Sequence, residues 1–524
     1  MRTSHFVLSR FLCATVVAST LMLSVIAVTG AASTPSTTGS WPYSNGNLSN
    51  TRNAVGSTIT LANVSTMKEA WSFELTGKAT KNVGGYGTLA ANPIVVNGVV
   101  YVQDLHSNVY ALSLATGKLE WSYVVNKPEL SGPGPNGVAV VDGVVYGATP
   151  KSVFALNAAT GKKLWSNNKL LKKGEGTFGI QPQVANGRVY LASQYGHVPG
   201  GGLLLALNAA TGAKEWSFKT EPKNDAGVAS LGLGGGGAWE TPLVSPNGSV
   251  TYGIGNPYQT MAEALQHPSK SLYTDSDVNL NAATGKLNWY YQGVPNDFMD
   301  HDMQASPISA SANGVPVVIG GGKMGIVYEM NANTGKLIWK TPVGTHNGND
   351  NDGLKALEGK SHLKAPFTYE PGALGGILTN MAVANNTVYV VTSNLPFKFT
   401  TSKEVNGLPS IKVPKGVPTV NVLVGDIEAL NLVTGKVEWD TSIKGLPVGA
   451  ATVSNNLVFT TTFQGKLMAF NSSTGALVFS QQLRRTTNSP LAIAGNTVII
   501  PAGAPKDGQV KGAAQIIAYR LTTS

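Results

Sequence analysis

Apolar positions along the chain fall in short runs, some alternating with polar residues and some continuous, and each run is broken by Gly, Asn, Asp or Pro. That is the pattern of β-strands joined by tight turns, not of helices, whose apolar stripe would return every three to four residues. One run repeats. VYALSLATGKLEW at Val109 returns as VFALNAATGKKLW at Val153, LLALNAATGAKEW at Leu204, VNLNAATGKLNW at Val278, VYEMNANTGKLIW at Val327, IEALNLVTGKVEW at Ile427 and LMAFNSSTGALVF at Leu467. Each unit reads as strand, turn, strand: Thr-Gly supplies a residue that tolerates positive φ, and the preceding Asn or Ser can bond the turn backbone. The Trp or Phe four residues after the Gly falls on an outer strand and can pack between neighbouring sheets.

These seven hairpins need an eighth to close a ring, and the two ends of the chain supply it. QIIAYRL (Gln515 to Leu521) matches the first half of the unit and AWSFEL, with Trp71, matches the second. Pairing the termini in one blade leaves no free sheet edge. The prediction is an all-β chain: a signal peptide over residues 1–32, an arm over 33–66 and a single eight-bladed β-propeller over 67–524. Most repeat glycines follow one another at the spacing of a four-stranded blade, but Gly212 to Gly285 is 73 residues and Gly335 to Gly435 is 100. Extra length in a repeat protein maps to loops on the binding face. The second insertion holds GTHNGNDNDG (Gly344 to Gly353), which lacks the spacing and closing Glu of an EF-hand and reads as a solvated turn.

Composition narrows the function classes. Of 524 residues, 61 are Gly and 28 Pro, which suits many short strands. Arg2 and Arg10, the apolar run from Phe11 to Val28 and the small residues Gly30, Ala31 and Ala32 form a secretory leader; an uncleaved anchor is the alternative. After cleavage no span remains, and the expected address is extracytoplasmic, periplasmic or secreted. Cys13, the one cysteine, leaves with the leader, so disulfides, thiolate zinc and Cys-x-x-Cys-His haem sites are excluded. Losing the two arginines takes the formal charge from +10 to +8, and that excess is scattered, which argues against nucleic acid.

Candidate chemistry sits where the repeat is interrupted. In WYYQGVPNDFMDHD, from Trp289 to Asp302, the acids Asp297, Asp300 and Asp302 stand among apolar residues in a chain only 13% charged. An extended segment would point Asp300 and Asp302 one way and His301 the other. Two such carboxylates need a cation or a proton between them, or free solvation in a loop. Trp239, after Gly234 to Gly237, is either a flat floor for a planar ligand or the cap of a blade. Lys323, after Gly320 to Gly322, is either a channel lysine seeking an anionic partner or a surface residue. Asn256, before Pro257, is also an ordinary turn signal.

These residues in this order resemble the quinoprotein alcohol dehydrogenases, a family that includes the catalytic subunit of methanol dehydrogenase. The resemblance runs from about Trp41 to Leu521 and is most specific at AWETPLVSPNGSVTYGIGNP, LNWYYQGVPNDFMDHD and GGGKMGIVYEMNANTGKLIW. It implies an eight-bladed propeller holding pyrroloquinoline quinone (PQQ) beside a metal ion, calcium or a lanthanide. By the same resemblance Trp239 lies under the quinone, Asn256 is an amide ligand of the metal, and Asp300 is the catalytic base that also approaches the metal. Asp302 matches the extra carboxylate of the lanthanide-using branch, Lys323 the cation on the quinone carbonyls, and Asn394 a polar quinone contact. The implied reaction is oxidation of a small alcohol by hydride transfer to the quinone, with electrons passing to a separate acceptor such as a cytochrome c.

Several family positions differ. The glutamate metal ligand falls on His197, a quinone-binding glutamate and arginine fall on Ala90 and Asn136, and two hydroxyl contacts fall on Gly179 and Gln194; the adjacent cysteine pair is absent. The alternative reading is a non-catalytic propeller, an envelope scaffold or ligand-binding module, because fold alone does not fix chemistry. A third is a propeller that binds another planar or sugar-like ligand on Trp239.

Overall fold

In six of the seven repeats an Asn that ends the first strand of the hairpin caps its own turn. Asn157 Oδ1 accepts from the backbone nitrogens of Ala159 at 3.1 Å and Thr160 at 3.0 Å, and Gly161 then turns the chain at φ +69°. Asn208, Asn281, Asn331 and Asn431 do the same. Two further strands complete each blade on the inner side. The first blade, for example, is Ile94–Val96, Val99–Gln103, Val109–Ser113 and Leu119–Tyr123 in that spatial order.

The computed structural model describes residues 39–75, 88–125, 137–194, 201–221, 231–410, 412, 415, 422–503 and 514–522. The leader at 1–32, Asn136 and His197 lie outside them. Within them eight four-stranded antiparallel blades follow in chain order, the third carrying an extra strand, Thr177–Phe178. Innermost strands of successive blades are neighbours, and that of the eighth blade, Ala492–Ala494, returns to Ile94–Val96. The eighth blade is completed as the sequence requires: Met67–Glu74 pairs with Gln515–Leu521, placing Trp71 opposite Ala518. No helix among the described residues is long and apolar enough to cross a membrane.

The tryptophans fasten one blade to the next. Trp121 donates its indole N–H to Ala158 O at 2.8 Å, and its ring lies on Gly161 of the following turn, where a Cβ would come within 2.6 Å of it. Trp71, Trp165, Trp216, Trp289, Trp339 and Trp439 repeat the contact on Gly117, Gly212, Gly285, Gly335, Gly435 and Gly475.

The N-terminal arm fills the axis. Trp41 pairs with Val95 and is 1% exposed, and Arg52, fully buried, bonds five acceptors with its five N–H groups. These are Ala451 O, Asn45 Oδ1, Asn92 Oδ1, Thr452 Oγ1 and Leu491 O, at 2.7 to 2.9 Å. Asn45 and Asn50 extend the network to Ser306, Pro307 O and Asn380. The arm thus touches innermost strands all round the ring.

Both insertions fold on one side of the ring. The first contributes the helix Met261–Gln266, capped by Thr260 and Glu263 in a reciprocal box. The second contributes the helix Asp352–Leu357 and a small sheet of Phe367–Tyr369, Phe397–Phe399 and Leu408–Pro409. Met261, Phe298, Tyr369 and Phe399 share one apolar cluster, so the two insertions meet over the acid-rich segment. The run from His346 to Gly353 is not the solvated turn expected from its polarity. His346 bonds Asp350, Asn347 and Asn349 both donate to Thr368 O, and Asp352 is buried.

Adding a methyl at a docking glycine tests this packing. Gly285→Ala combines φ +68° with a Cβ 2.6 Å from the Trp216 ring and is expected to lower unfolding free energy by about 2–4 kcal/mol. Gly98→Ala has φ +76° and open space, and should cost only about 1 kcal/mol; urea unfolding of both variants makes the comparison.

Candidate active site

The acid-rich segment joins the outer strand of the fourth blade, Leu287–Gln292, to the inner strand of the fifth, Ile308–Ala312. It is not extended: Asn296 and Asp300 take φ +56° and +63°. The expectation that alternation would align Asp300 with Asp302 therefore rests on the wrong geometry. The two carboxylates converge for another reason, which is that Lys323 lies between them. Its Nζ is 2.9 Å from Asp300 Oδ2 and 2.5 Å from Asp302 Oδ2. His301 does turn elsewhere, with Nε2 3.0 Å from Pro371 O.

Glycines set this convergence. Gly322 abuts the Asp302 carbonyl so closely that no Cβ fits, and the approach lets Lys323 N donate to Asp302 O at 3.0 Å. Gly255 follows the fourth blade's second strand, Ser249–Gly253. A Cβ there would lie 2.6 Å from the Trp239 indole and 2.7 Å from Asp302 Oδ1, so indole and carboxylate meet over bare backbone. Asn256 N donates to the same Asp302 oxygen at 2.8 Å, and its side-chain nitrogen donates to Pro257 O.

Trp239, Asn256, Asp300, Asp302 and Lys323 thus share one site. Asn394 is engaged beside it. Its amide donates to Asp426 Oδ2 at 2.6 Å and accepts from Thr345 N at 3.1 Å, while the backbone of neighbouring Ser393 pairs with Gly376, which packs on the Lys323 backbone.

The site holds more acid than base. Burial pushes the Asp300 carboxyl up to about 8; Lys323 opposes this and Asp302 and Asp297 reinforce it. Burial acts to lower the Lys323 ammonium, but Asp300 and Asp302 reverse that and raise it. Two carboxyls lie deeper: Asp275 and Asp277 are fully buried and raised well above the usual range, Asp275 by burial and then by Asp297, Asp302 and Asp300. The sequence reading missed both. Alignment of the repeats marks one of them, since Asp277 takes the place of Val109, Val153 and Val327.

Tested against a quinone and a metal, the candidate positions differ. Asn256, Asp300 and Asp302 offer hard oxygen donors suited to calcium or a lanthanide, and the Trp239 face over Gly255 suits a flat ring. These positions fit. At two other positions where the family resemblance implies cofactor contacts, Ala90 is a buried methyl, and the Gln194 amide fills the space above Gly179, with neither of its polar atoms hydrogen-bonded.

In fold the chain is similar to known propellers, and comparison with other proteins shows which ones it resembles. The family described as "Glucose/ethanol/alcohol dehydrogenase, beta-propeller domain" matches residues 41–140 and 191–347, and that described as "Outer membrane protein assembly factor BamB" matches 125–234 and 424–519. The chain is similar in sequence to PQQ-dependent alcohol dehydrogenases. It is 30% identical over 400 residues to the dehydrogenase subunit of the quinone alcohol dehydrogenase of Gluconacetobacter polyoxogenes, covering 65% of this chain and 52% of that one. It is 27% identical to the quinohemoprotein alcohol dehydrogenase of Comamonas testosteroni, covering 83% and 68%. The chain thus spans about half the length of the first and two thirds of the second. Among solved structures, the Comamonas testosteroni quinohemoprotein alcohol dehydrogenase superposes with TM-score 0.76 at 22% identity, over 93% of this chain and 81% of that one. A europium-containing methanol dehydrogenase superposes with TM-score 0.75 at 20% identity, over 92% and 98%. At such identities these two establish the fold.

A carboxyl bound more strongly as its acid in the folded state makes folding proton-dependent. Asp300 is raised, so the native chain holds a proton that the unfolded chain has lost between about pH 4 and 8. Stability from this group is complete below the unfolded value and falls as pH rises toward 8. In metal-free protein, the thermal midpoint of wild type relative to Asp300→Asn should therefore decline from pH 5 to 8 and then level off; a constant difference contradicts the shift.

Proposed function

We propose that this protein is an extracytoplasmic quinoprotein oxidoreductase that oxidises a small alcohol by hydride transfer to PQQ held beside a calcium or lanthanide ion. One observation carries the reading: Lys323 draws Asp300 and Asp302 together next to the glycine on which Trp239 lies. The names of the relatives support the reaction class.

Asn256, Asp300 and Asp302 would hold the cation, Trp239 would wall one face of the quinone, and Lys323 and Asn394 would meet its polar edge. When bound, the quinone is the two-electron acceptor and the cation a Lewis acid. Asp300 acts as general base, taking the hydroxyl proton of the alcohol. Its carboxyl ionises more readily beside a multivalent cation than beside Lys323 alone, which suits a base working near neutrality. The apolar cluster of Phe298, Tyr369 and Phe399 packs along this segment, and the Asp300 side chain keeps 17% of its surface open. Lys323, already placed to offset two carboxylates, would supply positive charge at the polar edge of a bound quinone. With no haem-attachment motif in the chain, electrons leave to a separate acceptor such as a cytochrome c.

A second reading has support at Ala90, where a methyl replaces a cofactor-gripping carboxylate, and in the BamB-type match: a propeller that serves as an envelope scaffold. Reconstitution separates the two. Wild type supplied with PQQ and calcium or a lanthanide should reduce a dye with an alcohol panel, and Asp300→Asn should lose about 10²–10⁴-fold in kcat while still binding PQQ. Absence of PQQ binding under every metal overturns the enzyme reading in favour of the scaffold.

A further inference from the structure

The sixth blade breaks the repeat on two paired strands. In the other seven blades the second residue of the repeat is apolar or aromatic, as in Tyr110, Phe154, Tyr328 or Met468, and the rings pack on the preceding blade. In the sixth blade this residue is Glu428, 4% exposed, on the strand Val424–Asn431. Its cross-strand partner is Asp440 on Val437–Lys444, and Asp426 lies two residues away on the same face. Carboxylate oxygens of all three acids lie within 4.8 Å of one another.

Charge around them is not balanced by protein. Among the described residues none of the three forms an ion pair with lysine or arginine, and nearby His346 is engaged by Asp350. Like charges this close require a cation or a proton. A second observation points to a cation. Thr392, the cross-strand partner of Asp426 on the other side, is completely buried, and its Oγ1 has no hydrogen-bond partner. That hydroxyl faces the cluster: a Cβ on Gly344 would lie 3.0 Å from Thr392 Oγ1 and 2.9 Å from Asn394 Oδ1, and Gly344 N donates to Glu428 Oε1 at 2.7 Å. Asp426 is oriented by Asn394 at 2.6 Å and Ser442 at 2.9 Å.

We propose that Asp426, Glu428 and Asp440, with the Thr392 hydroxyl, form a calcium site in the seam between the fifth and sixth blades, separate from the channel site. Every donor is a hard oxygen, and oxygens within 4.8 Å of one another can share a sphere of about 2.4 Å radius, the length of a calcium–oxygen bond. Gly344 stands at the start of the long insertion and the strand at Val424 at its end. The ion therefore clasps both ends of the segment that carries Asn394.

Calorimetric titration of metal-stripped, full-length protein with calcium chloride tests this. The expected result is a calcium site that Glu428→Gln abolishes, that exposed Asp440→Asn weakens at least tenfold, and that Asp302→Asn leaves intact, with a calcium-induced rise in thermal midpoint lost in step. In Asp302→Asn protein, where the channel site is disabled, calcium binding that survives both Glu428→Gln and Asp440→Asn, or the absence of any calcium binding before those changes are added, overturns the proposal. So does wild type that binds no calcium in this seam and whose metal-free Glu428→Gln is the more stable, since a proton then occupies the cluster. Asp440→Asn keeps the test decisive if Glu428→Gln does not fold.

Discussion

The contact on which the rest depends is an indole lying on a glycine of the next blade. A four-stranded blade is too small to bury both of its faces, so it must adhere to neighbours on each side. Tryptophan supplies a large apolar area together with one directed N–H, and here that N–H is spent on a carbonyl of the adjoining turn in seven seams. The area drives adhesion and the hydrogen bond fixes register. Glycine is needed on the receiving side because the ring occupies the place of its side chain. Thr-Gly thus serves both the turn within a blade and the joint between blades.

A ring closed this way leaves an axial channel, and the arm determines how much of it remains for ligand. Arg52 satisfies every donor it has while buried, which offsets the high cost of removing a guanidinium from water. Burial lowers its ionisation to about 9 and raises that of nearby Glu240 to about 7. Glu240 accepts from Asn380, and the next residue, Thr241, bonds Ser44 and Gln181 O. Trp239 directly precedes this pair. The indole that faces the site is therefore carried by the same short stretch that anchors the arm, and the floor of the site is rigid because the arm's network is complete.

The blade count, the closing of the ring by the two chain ends and the docking role of the tryptophans were legible because each is written as a local repeat. Trp239 and Lys323 were legible as residues left over once the repeat was subtracted. Arg52 was not, since its partners lie from 7 to 439 residues away and no local signal marks them. The convergence of Asp300 and Asp302 was expected from strand alternation and arises instead from a left-handed residue and an intervening lysine, neither of which periodicity encodes. Glu428 and Asp277 form an intermediate case. Each violates the apolar pattern at an aligned position, so the sequence shows the anomaly, but only coordinates show what stands around it.

Packing and acidity are coupled in this molecule. Asp300 is held as an acid first by burial and only second by its charged neighbours. Asp275, which burial and the neighbouring acids raise more than Lys323 lowers it, and Asp277, raised by burial, follow the same rule more strongly. Among the described residues, Asp300 and Asp302 flank Lys323, Asp297 lies in the same segment as these two acids, and burial pushes the Asp297 and Asp300 carboxyls toward their protonated forms. A cation that binds Asp300 and Asp302 must displace a proton and share Lys323's partners, so affinity rises with pH and with ionic charge. If the cation proposed above binds there, each added ionic charge would meet two oxygen anions instead of the one of a single-carboxylate site.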